Sequence, residues 1–498
     1  MKTLGPIALM SAAWLLAALA SPRTQSAPLA DPPAQTPSGA QPGTGLVGHW
    51  QGSLKPAPML ELRLALELTK GPAGDLAGVM VSLDQGGVRI PLTHVSEHDG
   101  AVRIEAKSIG GQFEGALNSD RSELAGQWRQ AGQSVPLTWT RVSGPPKLNR
   151  PQEPKKPYPY TEEEARIECG TPPVTLAGTL TIPQGSGPHP AVVLITGSGA
   201  QDRDEAVMGH RPFLVLADYL TRRGIAVLRC DDRGVSKSTG DFARATAADF
   251  IQDTLAQVNW LAGRTEINPR TIGLLGHSEG GIIAPRAAVQ STNVAFLVLL
   301  AGVGVPMEDL LIRQGQDIGR VMGADEATLA KNTALQRAIF RVVREEKDAA
   351  AMETRIRQLI NEQIASQTEA QRNAVGLTDA MIEGQIRMAA SPWFRDLLTY
   401  DPHPTLRAVK CPVLAVNGEK DLQVSARDNL GAIRKALADG GNYNVKTIEF
   451  PSLNHLFQTC KTGAISEYGQ IEETCHPAVL KEVSTWILST TGRIAARN

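Results

Sequence analysis

The chain is poor in cysteine and aromatics and carries almost no excess charge. Five cysteines in 498 residues exclude a small domain built on disulfides, and no two of them have the C-x-x-C spacing of a structural zinc site. Lys plus Arg number 50 and Asp plus Glu 51, a formal net charge of −1. That balance argues against a nucleic-acid protein held by phosphate neutralisation and against a polybasic membrane anchor. Long apolar runs are also scarce: only Leu4 to Leu19 stands out, and it is short of the roughly 20 residues that a spanning helix needs. What remains is 42% hydrophobic and 20% charged residues, ordinary for a globular chain with a large core. At roughly 150 residues per domain, this length suggests about three domains.

The apolar run follows Met1 and Lys2 and ends in Ala18-Leu19-Ala20, the small-x-small form of a signal-peptidase site; Ser26-Ala27 is a second candidate. Residues 1–20 are therefore read as a secretory signal, with an uncleaved anchor as the other reading. Residues 21–45, rich in Pro, Ala, Ser, Gln and Gly, read as a disordered tether. The expected location is the periplasm or the cell exterior, with no membrane span after cleavage. Residues 46–143 carry short alternating runs such as Leu62-Arg63-Leu64 and Val102-Arg103-Ile104-Glu105 between Gly, Asp and Asn turns, which predicts an all-β module. Gly48-His49-Trp50-Gln51-Gly52 is echoed by Gly111-Gln112-Phe113-Glu114-Gly115, as expected of a meander or partly closed barrel filled by its aromatics. Stacking on a carbohydrate is the other use such aromatics could have.

Residues 144–165 begin with six prolines and four basic residues by Tyr160 and read as a stiff linker. Beyond it, continuous apolar runs (Ala191–Ile195, Ala226–Cys230, Thr271–Leu275, Phe296–Leu300, Val413–Val416) alternate with helical patterns. Buried strands alternating with helices predict an α/β domain over 166–492, its sheet mostly parallel and flanked by helices. Between about 303 and 400 the buried runs give way to Ala- and Gln-rich helical sequence, expected to form a cap over the carboxyl edge of the sheet.

Gly276-His277-Ser278-Glu279-Gly280 follows one buried run and opens a helix. Strand, sharp turn and helix are the setting that a G-x-S-x-G nucleophile elbow requires, so Ser278 is the candidate nucleophile. A serine hydroxyl needs a base, and the base needs an orienting carboxylate. Of the histidines beyond the last buried strand, His455 lies at the end of the alternating run Val445–Phe450, whereas His476 enters a helix. Asn417-Gly418-Glu419-Lys420-Asp421 leaves the strand 413–416 and offers two carboxylates, Asp421 first and Glu419 as the alternative. The oxyanion hole is expected from the backbone N–H of Glu279 and one from Thr196-Gly197-Ser198-Gly199, with Ser198 as donor and Gly199 as alternative.

The segments Gly197-Ser198-Gly199-Ala200-Gln201-Asp202-Arg203-Asp204-Glu205, Asp231-Asp232-Arg233-Gly234, Gly276–Gly281 and Leu453-Asn454-His455 resemble those of secreted α/β-hydrolase esterases with an inserted helical cap. They are similar in particular to the bacterial EstD-type carboxylesterases, which carry an extra N-terminal domain. The resemblance spans about Tyr158 to Ile487 and implies the α/β-hydrolase fold and a cofactor-free serine hydrolase of short acyl esters. Small-molecule esters are then the partners, with no metal and no nucleic acid. Thr196 stands where many relatives have His, and Ser236 where they have Gly. Two other functions stay open: a serine peptidase or aminopeptidase of the same fold, and an envelope- or carbohydrate-binding protein with a silent hydrolase domain.

Cys460 and Cys475 bracket 14 residues just after His455. In an oxidising compartment, a disulfide there would pin the loop of the base, worth roughly 3 kcal/mol by chain entropy. Cys230 and Cys411 adjoin buried strands and read as inert thiols.

Overall fold

The structure, a computed structural model, describes residues 45–492 apart from 58–59, 72–73, 86, 131–132, 146–147, 366–367 and 369–378. The signal segment and all but the last residue of the tether lie outside the described residues. Residues 48–142 form nine antiparallel strands: β1 (Gly48–Ala57), β2 (Leu60–Lys70), β3 (Leu76–Ser82), β4 (Val88–Pro91), β5 (His94–His98), β6 (Ala101–Ala106), β7 (Gly111–Leu117), β8 (Glu123–Gln130) and β9 (Gln133–Val142). They lie in the order β4-β3-β2-β1-β9-β8-β7-β6-β5, with first and last strands paired at the centre. Period-two alternation turns Trp50, Phe113, Trp128 and Trp139 to the inner face, where all are buried in one apolar cluster. These rings fill the core, which leaves them unavailable to stack on a sugar.

The second sheet has eight strands: β10 (Tyr160–Cys169), β11 (Val174–Pro183), β12 (His189–Ile195), β13 (Ala226–Cys230), β14 (Ile267–His277), β15 (Phe296–Leu300), β16 (Val413–Gly418) and β17 (Val445–Phe450). Their order is β10-β11-β13-β12-β14-β15-β16-β17. The strands from β12 to β17 run parallel to one another, while β10 pairs with β11, and β11 with β13, antiparallel. The sheet is thus mixed. Strand β10 begins inside the stretch read as linker, because an edge strand with one wet face tolerates Glu162-Glu163-Glu164, which periodicity alone reads as polar loop.

Helices α1 (Pro212–Arg222), α2 (Ala247–Ala262) and α3 (Gly280–Ala288) connect the central strands, and two apolar clusters cover the two faces of the sheet. Between β15 and β16 run α4 (Met307–Val321), α5 (Glu326–Glu345), α6 (Ala349–Ile364), α7 (Asp379–Ala389), α8 (Pro392–Leu398) and α9 (Pro402–Ala408). This helical insertion has a core of its own around Ile339, Phe340, Ile356 and Ile386. The chain ends with α10 (Ala426–Asp439), α11 (Ile465–Tyr468) and α12 (Pro477–Thr490). Among the described residues no helix is long and apolar enough to cross a membrane.

The segment between the sheets is docked on the α/β part. The Arg150 guanidinium donates to the carbonyls of Gly469 and Ile471, and the Gln152 side chain bridges Thr474 N–H and Cys475 C=O. From the β-module, Arg63 pairs with Asp84 at 2.6 Å and also reaches Gly469 O. Residues 469–475 are therefore gripped from both sides.

Candidate active site

Every residue of the site follows the carboxyl end of a strand. Ser278 sits between β14 and α3 at φ 53°, left-handed backbone that a serine adopts only when its surroundings impose it. Two glycines make the turn feasible. A Cβ on Gly276 would stand 2.0 Å from Gly280 O, and one on Gly280 would stand 2.2 Å from Ile195 O. Ser278 N–H donates to Leu300 O at 2.9 Å, tying the elbow to the next strand. We expect Gly276→Ala to lose about 3 kcal/mol or to fail to fold, read as the urea midpoint of unfolding.

The candidate acid and the candidate base come together. Asp421 Oδ2 lies 2.8 Å from His455 Nδ1, with both side chains almost wholly buried. Asp421 Oδ1 accepts from the amides of Gln423 and Val424 at 2.8 and 2.9 Å, which fixes the carboxylate and leaves Oδ2 for the ring. With Nδ1–H donated to Asp421, Nε2 carries the lone pair a general base needs. Glu419, the other candidate acid, accepts from Ser452 N–H at 2.8 Å and so braces the loop that leads to His455. That loop is further closed by Asn454, whose Oδ1 accepts from the amides of Leu456 and Gln458.

Sequence reasoning missed His277. Its ring packs against that of His455 with centroids 4.8 Å apart and a tilt of 42°, and its Nε2–H donates to His455 O at 3.1 Å. Its Nδ1 faces Glu205 Oε1 at 2.9 Å, and the same oxygen accepts from Gly197 N–H at 2.7 Å. Burial disfavours the charged ring, yet Glu205 outweighs it and holds the imidazole above its ordinary pKa. One buried Glu–His pair thereby links the elbow, the loop after β12 and the backbone of the histidine. Its only signal in the sequence was a histidine beside the serine.

In the loop after β12, Ser198 stands between Gly197 and Gly199, the latter at φ 96°. Gly197 N–H is already committed to Glu205, leaving Ser198 and Gly199 as the loop's candidate donors. The acidic and basic residues here hold the loop: Arg203 pairs with Asp231 at 2.8 Å and Arg229 with Asp204 at 2.9 Å. Asp232 accepts from Thr196 Oγ1 and Gln201 N–H at 2.9 and 3.0 Å. The Glu279 side chain is buried and accepts from Trp393 Nε1 of α8 at 2.8 Å, so the helical insertion touches the residue after Ser278.

The Cys460–Cys475 disulfide expected from sequence is absent: all five cysteines are free thiols. Cys475 Sγ is buried in the apolar cluster with Val479 and Leu480, whereas Cys460 Sγ faces Ser452 O at 3.5 Å. The intervening segment is closed instead by carboxylates. Glu467 accepts from the amides of Lys461, Thr462 and Gly463, and Glu473 from Thr459. Burial pushes the Cys460 thiol up to about 11 and that of Cys475 to about 12. Thiol titration of the denatured, unreduced protein should therefore count five.

His210 also joins this region. It is buried, with Nδ1 2.9 Å from Thr474 Oγ1 and Nε2 2.9 Å from Tyr468 O. Burial, aided by Arg150, pushes its pKa down to about 4. The unfolded chain then binds the extra proton between about 6.5 and about 4, so stability is present above that window and lost as pH falls through it. The melting temperature should drop more steeply from pH 7 to 5 in the native protein than in His210→Gln.

Residues 171–440 match the sequence profile of the X-Pro dipeptidyl-peptidase (S15) family. Esterase EstD of Thermotoga maritima is 27% identical over 300 residues, 60% of this chain and 61% of that protein. An uncharacterised 31.7 kDa protein of Escherichia coli is 30% identical over 125 residues, 25% of this chain and 41% of its own. The chain thus spans about three-fifths or less of the curated relatives it matches. Among solved structures, Est1E of Butyrivibrio proteoclasticus with bound ferulic acid aligns with a TM-score of 0.39 at 18% identity, covering 67% of this chain and 100% of that one.

Proposed function

The chain belongs to the X-Pro dipeptidyl-peptidase (S15) family, and from that premise we propose a cofactor-free serine hydrolase of short acyl esters with the α/β-hydrolase fold. On this reading, residues 46–143 are an accessory β-module and 166–492 the bulk of the catalytic domain, with a cap at about 303–400, while the intervening 144–165 connects them and supplies the start of β10. The signal-like residues 1–20 and the tether 21–45 would deliver it to the periplasm or the exterior.

The observation that carries the reading is the buried 2.8 Å contact of Asp421 with His455, whose backbone carbonyl is held by His277, the residue before a left-handed Ser278. Ser278 Oγ attacks the acyl carbon while His455 Nε2 takes its proton, and the oxyanion meets the backbone N–H groups of Glu279 and of Ser198 or Gly199. His455 then gives the proton to the leaving alcohol, and water repeats the sequence on the acyl-enzyme. Asp421 holds the ring in the required tautomer and stabilises its charged form. EstD, a named esterase, favours ester bonds; the family profile favours the second reading, a peptidase using the same residues. A panel of p-nitrophenyl acyl esters and aminoacyl amides separates the two. We expect turnover of the esters, and turnover of amides alone would put the peptidase in its place.

A further inference from the structure

Between the short α11 and α12, residues 469–476 form neither helix nor strand, so individual contacts fix where this segment lies. Its inner side touches the loops of the acid and the base. Tyr468, at the end of α11, is buried, and its hydroxyl accepts from Gln423 Nε2 at 3.1 Å and faces the backbone N–H of His455. Gln423 N–H in turn donates to Asp421 Oδ1 at 2.8 Å. One phenol therefore braces both loops. The outer side is covered by the β-module and the segment that follows it. A Cβ on Gly469 would stand 2.3 Å from Asp84 O, so the module's backbone lies directly on the residue after Tyr468. The Gly469 carbonyl accepts from Arg63 of β2 at 3.3 Å and from Arg150 at 2.9 Å, and charged donors make the stronger hydrogen bonds. Arg63 is itself fixed by Asp84, through Nε at 2.8 Å and Nη2 at 2.6 Å. Next to it, Gln470 Nε2 donates to Glu61 O at 2.9 Å.

We propose that the β-module is a positioning element of the catalytic domain: seated on Gly469, it holds Tyr468 where the phenol aligns Gln423 and His455, and so keeps Asp421 and His455 in register. The imidazole must present Nε2 to Ser278 while Nδ1 stays on Asp421, and a misplacement of about 1 Å costs up to about a hundredfold in rate. Arg63, Arg150 and Tyr468 are then positioning residues, none of which touches the acyl group. The contact is built from the module's own backbone and a guanidinium of β2, and it ends one residue from the phenol, which distinguishes it from a surface that merely tethers two domains. The inference rests on the acyl-transfer reading above and assigns the module a part in it.

The test measures hydrolysis of p-nitrophenyl acetate by the full chain as the native protein, Tyr468→Phe, Gly469→Ala, the two combined, and Arg150→Met. Turnover is counted per serine titrated to completion with a fluorophosphonate, so that unfolded molecules drop out. Tyr468→Phe removes the hydroxyl, Gly469→Ala drives a methyl group into the contact with Asp84, and Arg150→Met frees the same carbonyl from the other side. Each single variant should lower kcat about tenfold with KM within about twofold, because His455 serves acylation and deacylation alike. The combined variant should be no slower than the slower single one, as expected of two changes acting through one group. Should Gly469→Ala not fold, Arg150→Met alone and with Tyr468→Phe gives the same comparison. A kcat kept within about twofold in Gly469→Ala and Arg150→Met, whatever their melting temperatures, would leave the contact purely structural and overturn the proposal. Losses that multiply in the combined variant would overturn it too, since the module would then act by a route other than Tyr468. Ester turnover in the native protein keeps the hydrolase reading standing in both cases, and its absence would remove that reading and the proposal with it.

Discussion

Ser278→Ala should lower kcat toward acyl esters about a million-fold, leaving only the acceleration supplied by binding and the oxyanion donors. The size follows from the absence of a substitute. Ser278 is the residue that the turn between β14 and α3 presents in left-handed backbone, and its neighbours are engaged elsewhere, the His277 ring by Glu205 and His455 O and the Glu279 carboxylate by Trp393. The variant should fold normally, because Ser278 is held in the turn by its backbone, N–H donating to Leu300 O and C=O accepting from Gly281 N–H, and neither bond involves its hydroxyl. KM should move little, since the hydroxyl acts on the reacting carbon. An unchanged melting curve beside the lost turnover separates chemistry from folding, and retained turnover would remove Ser278 from the mechanism.

Asp421→Asn should lower kcat about ten-thousand-fold. The carboxylate has two separate tasks: Oδ1 accepts from Gln423 N–H and Val424 N–H, and Oδ2 accepts from His455 Nδ1. An amide keeps the first by leaving its oxygen at the Oδ1 position, which turns its NH2 toward the imidazole. Nδ1 must then accept, the proton moves to Nε2, and the lone pair that deprotonates Ser278 is gone. The loop geometry survives while the base is in the wrong tautomer. Glu419→Gln is the companion measurement. Its carboxylate braces Ser452 N–H, so activity should fall far less, and a larger loss there than at Asp421 would reverse the assignment.

Most of the candidate site was legible because each part is announced locally. Gly276 is required by a contact within one turn and Gly280 by the close approach of β12, and Asp421 and His455 each follow a strand within a few residues, the first buried and the second alternating. The sequence could rank Asp421 above Glu419 but could not pair it, since the 2.8 Å contact spans 34 positions along the chain. Contacts across still longer separations left no trace. Glu205 and His277 are 72 residues apart, and Tyr468 carries no motif at all. The parallel core strands were readable as continuous apolar runs, whereas β10 was hidden by its glutamates, which an edge strand can turn to solvent. The disulfide was inferred from spacing alone; spacing could not say that Cys475 turns into the apolar cluster while Cys460 turns to Ser452 O.

The central claim is that an acyl group is carried on Ser278 by a His455-activated hydroxyl. Its most direct test is peptide mass spectrometry after brief treatment with a fluorophosphonate, which labels serines activated in this way. The account predicts one adduct, on the peptide containing Ser278, and its loss in His455→Ala. An adduct on another residue, or full ester turnover with Ser278 unlabelled, would contradict it.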